Sequence, residues 1–115
     1  MTIYRKYLAD PWFTLVSLGL KKINSELNFG DFSQMKEGDI IIFINSGLYF
    51  ERECKVQIHR ISIYNSFEQL LEKEYLPNVF PSISKENIKI ILRNGIDVLD
   101  EIENGVIAIK YCKIF

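Results

Sequence analysis

The period of the hydrophobic positions changes several times along the chain, and each change marks an element. Phe13, Val16 and Leu20 recur at helical spacing, with Leu15 and Leu18 widening the same face. Asp10 is a suitable N-cap, Pro11 fits a first helical turn, and Gly19 stands where a C-cap is expected. The spacing predicts a helix over 11–19. From 22 to 28 the period drops to two: Lys22, Asn24, Glu26 and Asn28 share one face, and Ile23, Ser25 and Leu27 share the other. One face of such a strand is buried, so the polar face turns outward or into a cleft. Gly30-Asp31 and Glu37-Gly38-Asp39 read as turns, with Phe32 and Met35 between them covering the core. An unbroken β-branched run, Ile40 to Ile44, reads as a strand buried on both faces.

Asn45-Ser46-Gly47 then signals a hairpin turn, followed by strands over 48–53 and 54–64. Within the second, Val56 and Ile58 lie on one face and Ile61 and Ile63 on the other, which predicts a bulge or change of face near residue 60. Ser66 caps a helix carrying Phe67, Leu70 and Leu71, with Pro77 as its stop. Ser82 or Ser84 caps another, with Ile88, Ile91 and Leu92 on one face and Gly95 at its end. A short helical turn over Val98–Glu103 leads through Asn104-Gly105 to a last strand, Val106 to Ile114. The order α-β-β-β-β-α-α-β predicts an α+β fold, a small mixed β-barrel with peripheral helices.

At 115 residues the chain makes one domain, 1–115, large enough to bury a core without staples. Its net charge of −1 supplies no global field toward nucleic acid or membrane, so any such site is a local patch. Two cysteines, Cys54 and Cys112, make no disulfide framework and read as reduced core thiols. The N-terminus has no apolar signal core, and Ile40–Ile44 is far short of the roughly 20 residues of a membrane span. A cytoplasmic or nuclear setting, with no membrane partner, is therefore expected.

Candidate chemistry concentrates around Lys21. Lys22, Asn24 and Glu26 project from one strand face at intervals of about 6–7 Å. A cation, an amide and a carboxylate on one face can together read a base edge and a phosphate. Trp12 is close in sequence and could stack a base; Arg60 is a further candidate phosphate contact. Lys21 beyond a helix C-terminus is also explained by its attraction to the free carbonyls there, and Trp12 by packing. Glu74, at the end of the helix after Ser66, would be a general acid or base only if it folds back toward Lys21. The single histidine, His59, has no carboxylate at ligand spacing, so no metal and no cofactor is expected.

Residues 11–112 resemble the ASCH domain, of the PUA-like superfamily. The resemblance is carried by Pro11-Trp12-Phe13, Gly19-Leu20-Lys21-Lys22-Ile23, the stretch from Met35 to Phe43, the stretch from Ser66 to Glu74, Pro77, Pro81, and Gly105-Val106-Ile107-Ala108-Ile109. It implies a small barrel with helices at its rim and a central cleft for RNA or modified nucleotides. The family's cleft motif is Gly-x-Lys-x-x-Glu-x-Arg; this chain keeps Gly19 and Lys21 but has Asn24 in place of Glu and Glu26 in place of Arg. Loss of the arginine removes a planar bidentate reader. One branch resembles amidohydrolases that deacetylate acetylcytidine. It implies catalytic roles for Lys21 and Glu74, with Asn24 standing where that branch has threonine. The expected function is thus an RNA- or nucleotide-binding module with Trp12, Lys21, Lys22, Asn24, Glu26 and Arg60 as its site. A hydrolase of modified nucleosides or RNA, using Lys21 and Glu74, is the alternative. A protein-interaction domain using the acidic stretch Asp97 to Glu103 is a third. The bias to Ile, Asn and Lys fits an AT-rich genome, and giant viruses and bacteria with such genomes carry domains of this family.

Overall fold

The computed structural model describes residues 1–47, 49–93 and 96–114. Five strands form one curled sheet: β1 (Ile3–Tyr7), β2 (Ile23–Leu27), β3 (Ile40–Ser46), β4 (Glu51–Tyr64) and β5 (Val106–Lys113), in the spatial order β1-β3-β4-β5-β2. β1 pairs parallel with β3, and every other pairing is antiparallel. Around the sheet stand helices α1 (Trp12–Ser17), α2 (Phe67–Lys73), α3 (Leu76–Val79), α4 (Lys85–Arg93) and α5 (Val98–Asn104), with a 3-10 turn at Gly30–Gln34. The fold is α+β, a mixed sheet curled into a half-barrel with helices at its rim.

The curl gives the sheet an inner and an outer apolar layer. Phe13 and Val16 of α1 pack with Ile41, Phe43, Val56, Ile58, Ile107, Ile109 and Tyr111 in one core. On the other side, Phe67, Leu70 and Leu71 of α2, Val79, Ile88 and Leu92 cover Ile23, Val106 and Ala108. β5 is therefore buried on both faces from Val106 to Ile109, which explains its continuous apolar run.

Several elements depart from the sequence expectation. β1 was not foreseen: as an edge strand it alternates exposed and half-buried residues, and Ile3-Tyr4-Arg5-Lys6-Tyr7 shows no clean apolar face. The strands expected over 48–53 and 54–64 are one long strand, β4; residue 48 lies outside the described residues. Asn45 and Ser46 still belong to β3, and the return to β4 is made by the Gly47 N–H donating to the Phe50 carbonyl at 2.9 Å. Pro77 does not stop α2, which ends at Lys73; it sits in the first turn of α3, where a missing N–H has no consequence. α1 is shorter than 11–19. Its N-cap position is Pro11, while Asp10 accepts from the Thr14 N–H at 3.0 Å and the Thr14 hydroxyl at 2.7 Å. Gly95 lies outside the described residues. Cys54 is a core thiol, but Cys112 is exposed, 3.0 Å from His59 Nε2.

Other expectations match. The β4–β5 register shifts between Ile58 and Arg60, so the bulge falls at His59. Ser66 caps α2 by accepting from the Gln69 N–H, and Ser84 accepts from the Asn87 N–H at the start of α4.

Candidate functional site

The site begins at the end of α1. Gly19 takes φ +75, a left-handed conformation that other residues adopt only with strain. The Leu20 and Lys21 N–H groups both donate to the Leu15 carbonyl, and the chain turns directly into β2. This turn carries Lys21 inward. It is 4% exposed, and its Nζ donates to the Ile23 carbonyl at 2.7 Å and to the Val79 carbonyl. Nζ also stands 4.4 Å from the centroid of the Phe80 ring, a cation–π distance. α3 thus supplies both a carbonyl and, just beyond its end, an aromatic face. Burial lowers the Lys21 pKa from 10.5 to about 7, opposed by the nearby Glu26 carboxylate.

One residue pair further along β2, Asn24 is also 4% exposed. The Tyr111 hydroxyl, buried on β5, donates to Asn24 Oδ1 at 2.8 Å, and Asn24 Nδ2 donates to Glu26 Oε1 at 3.3 Å. These two bonds fix which end of the amide faces Glu26. Burial raises the Glu26 pKa, while the Asn24 bond and the Lys21 and Lys6 charges hold it down. Burial also pushes the Tyr111 phenol well above its ordinary value, so Tyr111 remains a donor.

Trp12, Lys21, Asn24, Ser25, Glu26 and Phe80, with Leu8 and Ile91, line one pocket of about 160 Å³. Trp12 and Phe80 meet edge to face, 4.9 Å between centroids. The pocket lies at the seam between the two apolar cores, since Leu8 packs against one and Trp12, Phe80 and Ile91 against the other. Strand alternation alone sends Ser25 to the opposite face, yet it contributes to the lining. Its Oγ is the one buried side-chain nitrogen or oxygen among the described residues with no hydrogen-bond partner.

Of the expected site residues, Trp12, Lys21, Asn24 and Glu26 meet in this pocket. Lys22 is exposed and outside its lining, and its N–H donates to the Asn78 carbonyl. Arg60 and Glu74 meet each other: Arg60 Nη2 donates to Glu74 Oε1 at 2.6 Å, and the Tyr64 hydroxyl donates to Glu74 Oε2. Glu74 is buried, with a 3% exposed side chain, and Arg60 is 46% exposed. The acidic stretch Asp97 to Glu103 is partly structural, with Asp97 capping α5 and the buried Glu101 accepting from the Phe67 N–H. Ser25, Phe80 and Tyr111 were not foreseen. Phe80 and Tyr111 reach the site from distant elements, which no local pattern signals.

The sequence matches no family model and no curated protein. Among solved structures, the hypothetical protein PH0355 is 33% identical over 98% of this chain and 100% of its own, with a TM-score of 0.85. Protein PF0455 from Pyrococcus furiosus is also 33% identical, over 98% of both chains, with a TM-score of 0.77. The chain belongs to the family of these two proteins. An ASCH domain from Lactobacillus crispatus aligns over 97% of this chain and 79% of its own at 14% identity, with a TM-score of 0.54. That likeness makes the fold an ASCH fold. Among the described residues of this ASCH-like chain, no helix is long and apolar enough to cross a membrane. Nor do three or more His, Cys, Asp or Glu side chains gather as metal ligands.

Proposed function

We propose that the chain binds RNA or a nucleotide, with one base entering the pocket beside Trp12 and Phe80. The observation that carries this reading is the buried polar set itself. Lys21 and Asn24, both buried, line the pocket together with Ser25, Trp12 and Phe80, where a purely structural core would be apolar. At about 160 Å³ the pocket is smaller than the roughly 300–1,000 Å³ that encloses a drug-sized ligand, so it suits a single ring. As the ammonium, below about pH 7, Lys21 has three N–H donors and uses two on carbonyls, leaving one for a ligand. Lys22 and Arg60 are the surface cations for phosphate, and the ASCH fold is compatible with RNA binding. With so few cations the affinity is modest and falls with salt.

Trp12 is the only tryptophan, so its fluorescence reports the pocket directly. Short single-stranded RNA quenches it in a saturable way, more tightly at low salt, and Lys22→Ala, which leaves the Arg60–Glu74 pair intact, weakens binding and lowers the salt dependence. Fluorescence unchanged across RNA and free nucleosides removes the proposal.

A second reading is favoured by one observation: Lys21, with its pKa lowered to about 7, sits in the same pocket as a carboxylate. A lysine in that state can take up and release a proton near neutral pH, which a hydrolase of a modified nucleoside requires. Glu26 is then the carboxylate in the pocket, while Glu74 is engaged by Arg60 and Tyr64. Release of acetate from acetylcytidine, lost in Lys21→Met, is the expected result; no product from acetylcytidine or RNA after long incubation eliminates it.

A further inference from the structure

We infer that Arg60 and Lys110, which face each other across β4 and β5, form a phosphate clamp for the strand whose base enters the pocket. The inference rests on the nucleotide-binding reading above and names the class of ligand taken: a phosphodiester-linked strand in preference to a free nucleoside.

The clamp follows from the register of the sheet. Arg60 lies directly opposite Lys110, just past the bulge at His59. Residues opposite one another in an antiparallel pair point to the same face, with Cβ atoms about 4.5–5.5 Å apart. Strand alternation puts Lys110 on the same face as Val106 and Ala108, which belong to the core under α2. On β5 that core ends at Ala108, and the next residues of the face are Lys110 and, opposite it, Arg60.

Like charges directly opposite each other are destabilising. Their own strands do not offset them, since residues 57–64 and 106–113 include no aspartate or glutamate. Glu74 accepts from Arg60 Nη2, and the Ser62 hydroxyl accepts from Nη1. These two bonds hold the guanidinium in place, and a guanidinium has further N–H donors to give. Lys110 is held by nothing comparable: among the described residues its ammonium makes no hydrogen bond and no ion pair. A positioned arginine beside an unpartnered lysine, in a chain of net charge −1, is a local anion site.

Its place beside the pocket indicates which anion. β2 borders β5, and Ile23 of β2 pairs with Lys110. The Ile23 carbonyl is also the acceptor for Lys21 Nζ in the pocket. A single strand, about 4.8 Å from its neighbour, therefore links the pocket to the clamp, and the exposed Lys22 stands next to Ile23. A strand with one base at Trp12 carries phosphodiesters that can extend to these cations; a nucleoside carries none.

The test follows Trp12 fluorescence while the full chain is titrated with the free nucleosides and with mixed-sequence single-stranded RNA of about eight residues. The RNA is expected to bind at least about tenfold more tightly at low salt than the best nucleoside. Lys110→Gln, which leaves the Arg60–Glu74 pair intact, keeps the nucleoside affinity, loses at least about threefold toward RNA, and lowers the slope of log affinity against log salt by about 0.7. Lys110→Arg keeps the charge and the slope, which separates loss of charge from loss of fold. RNA that binds no more tightly than a nucleoside, or affinity and slope unchanged in Lys110→Gln, overturns the clamp and leaves the pocket standing. Displacement of the RNA by polyglutamate at equal charge concentration also overturns it, because the cations then read charge and not phosphodiester. Quenching by neither RNA nor any nucleoside overturns both.

Discussion

Lys21→Met tests the burial of the Lys21 ammonium. Methionine keeps the unbranched length of lysine and removes its charge. In the unfolded chain Lys21 titrates at its ordinary 10.5; in the folded chain it titrates at about 7. Between those values the unfolded state binds a proton that the folded state does not, so stability rises with pH across this window. Below about pH 7 both states are protonated, and the folded state bears the whole penalty. The gap corresponds to about 5 kcal/mol, an upper bound because the Ile23 and Val79 carbonyls and the Phe80 ring all favour the ammonium. The variant lacks that penalty but leaves two carbonyls without this donor, at about 1–3 kcal/mol each. The two proteins are therefore of similar stability near neutral pH, and they diverge above it. The unaltered chain gains up to about 1.4 kcal/mol per pH unit relative to Lys21→Met from about pH 7 toward 10. With a urea slope of about 1–3 kcal/mol/M, the midpoints separate by about 0.5–1.4 M per unit. Tyr64 and Tyr111, both pushed up by burial, are present in both proteins and cancel in the difference. Urea unfolding at pH 6, 7, 8 and 9 measures it. Midpoints that stay parallel from pH 7 to 9 refute the buried, easily deprotonated lysine.

Tyr111→Phe removes the hydroxyl that holds Asn24 and leaves a buried carbonyl unpaired, costing about 1–3 kcal/mol in urea unfolding. Gly105→Ala forces alanine into φ +71 with its Cβ 3.0 Å from the Tyr64 carbonyl oxygen, and lowers stability by about 1–3 kcal/mol; a neutral effect contradicts the tight approach between the start of β5 and the end of β4. Iodoacetamide modifies one cysteine of the folded chain, the exposed Cys112, while the buried Cys54 reacts only in denaturant; peptide mapping distinguishes the two.

The sequence was most legible where burial follows a local period. α2 appears with its cap and apolar face, and β5 as a continuous apolar stretch covered on both sides; β3, a β-branched run expected to be buried on both faces, instead has Ile41 and Phe43 in the core and Ile40 and Ile42 only half-buried. β1 was illegible because an edge strand buries little and is held by backbone pairing to Ile40–Ile44, which no side-chain pattern records. Of the polar face expected at Lys22, Asn24, Glu26 and Asn28, Asn24 and Glu26 line the pocket, and Lys21, singled out just past the helix, joins them. Tyr111 and Phe80 were not foreseen, since they join the site by pairing of β5 with β2 and by packing of α3 on β2. Arg60 and Glu74 were both singled out, one as a phosphate contact and the other as a partner for Lys21, whereas in the fold they bind each other. Their ion pair depends on where the bulge at His59 sets Arg60, a tertiary effect beyond the reach of periodicity.

Backbone amide shifts, recorded while the chain is titrated with short single-stranded RNA and with free nucleosides, decide whether the pocket between Trp12, Phe80 and the polar end of β2 takes the ligand. The expected result is fast-exchange shifts clustered at Trp12, Lys21–Glu26, Phe80 and Tyr111. Shifts confined to other surfaces, or none with either ligand class, contradict it.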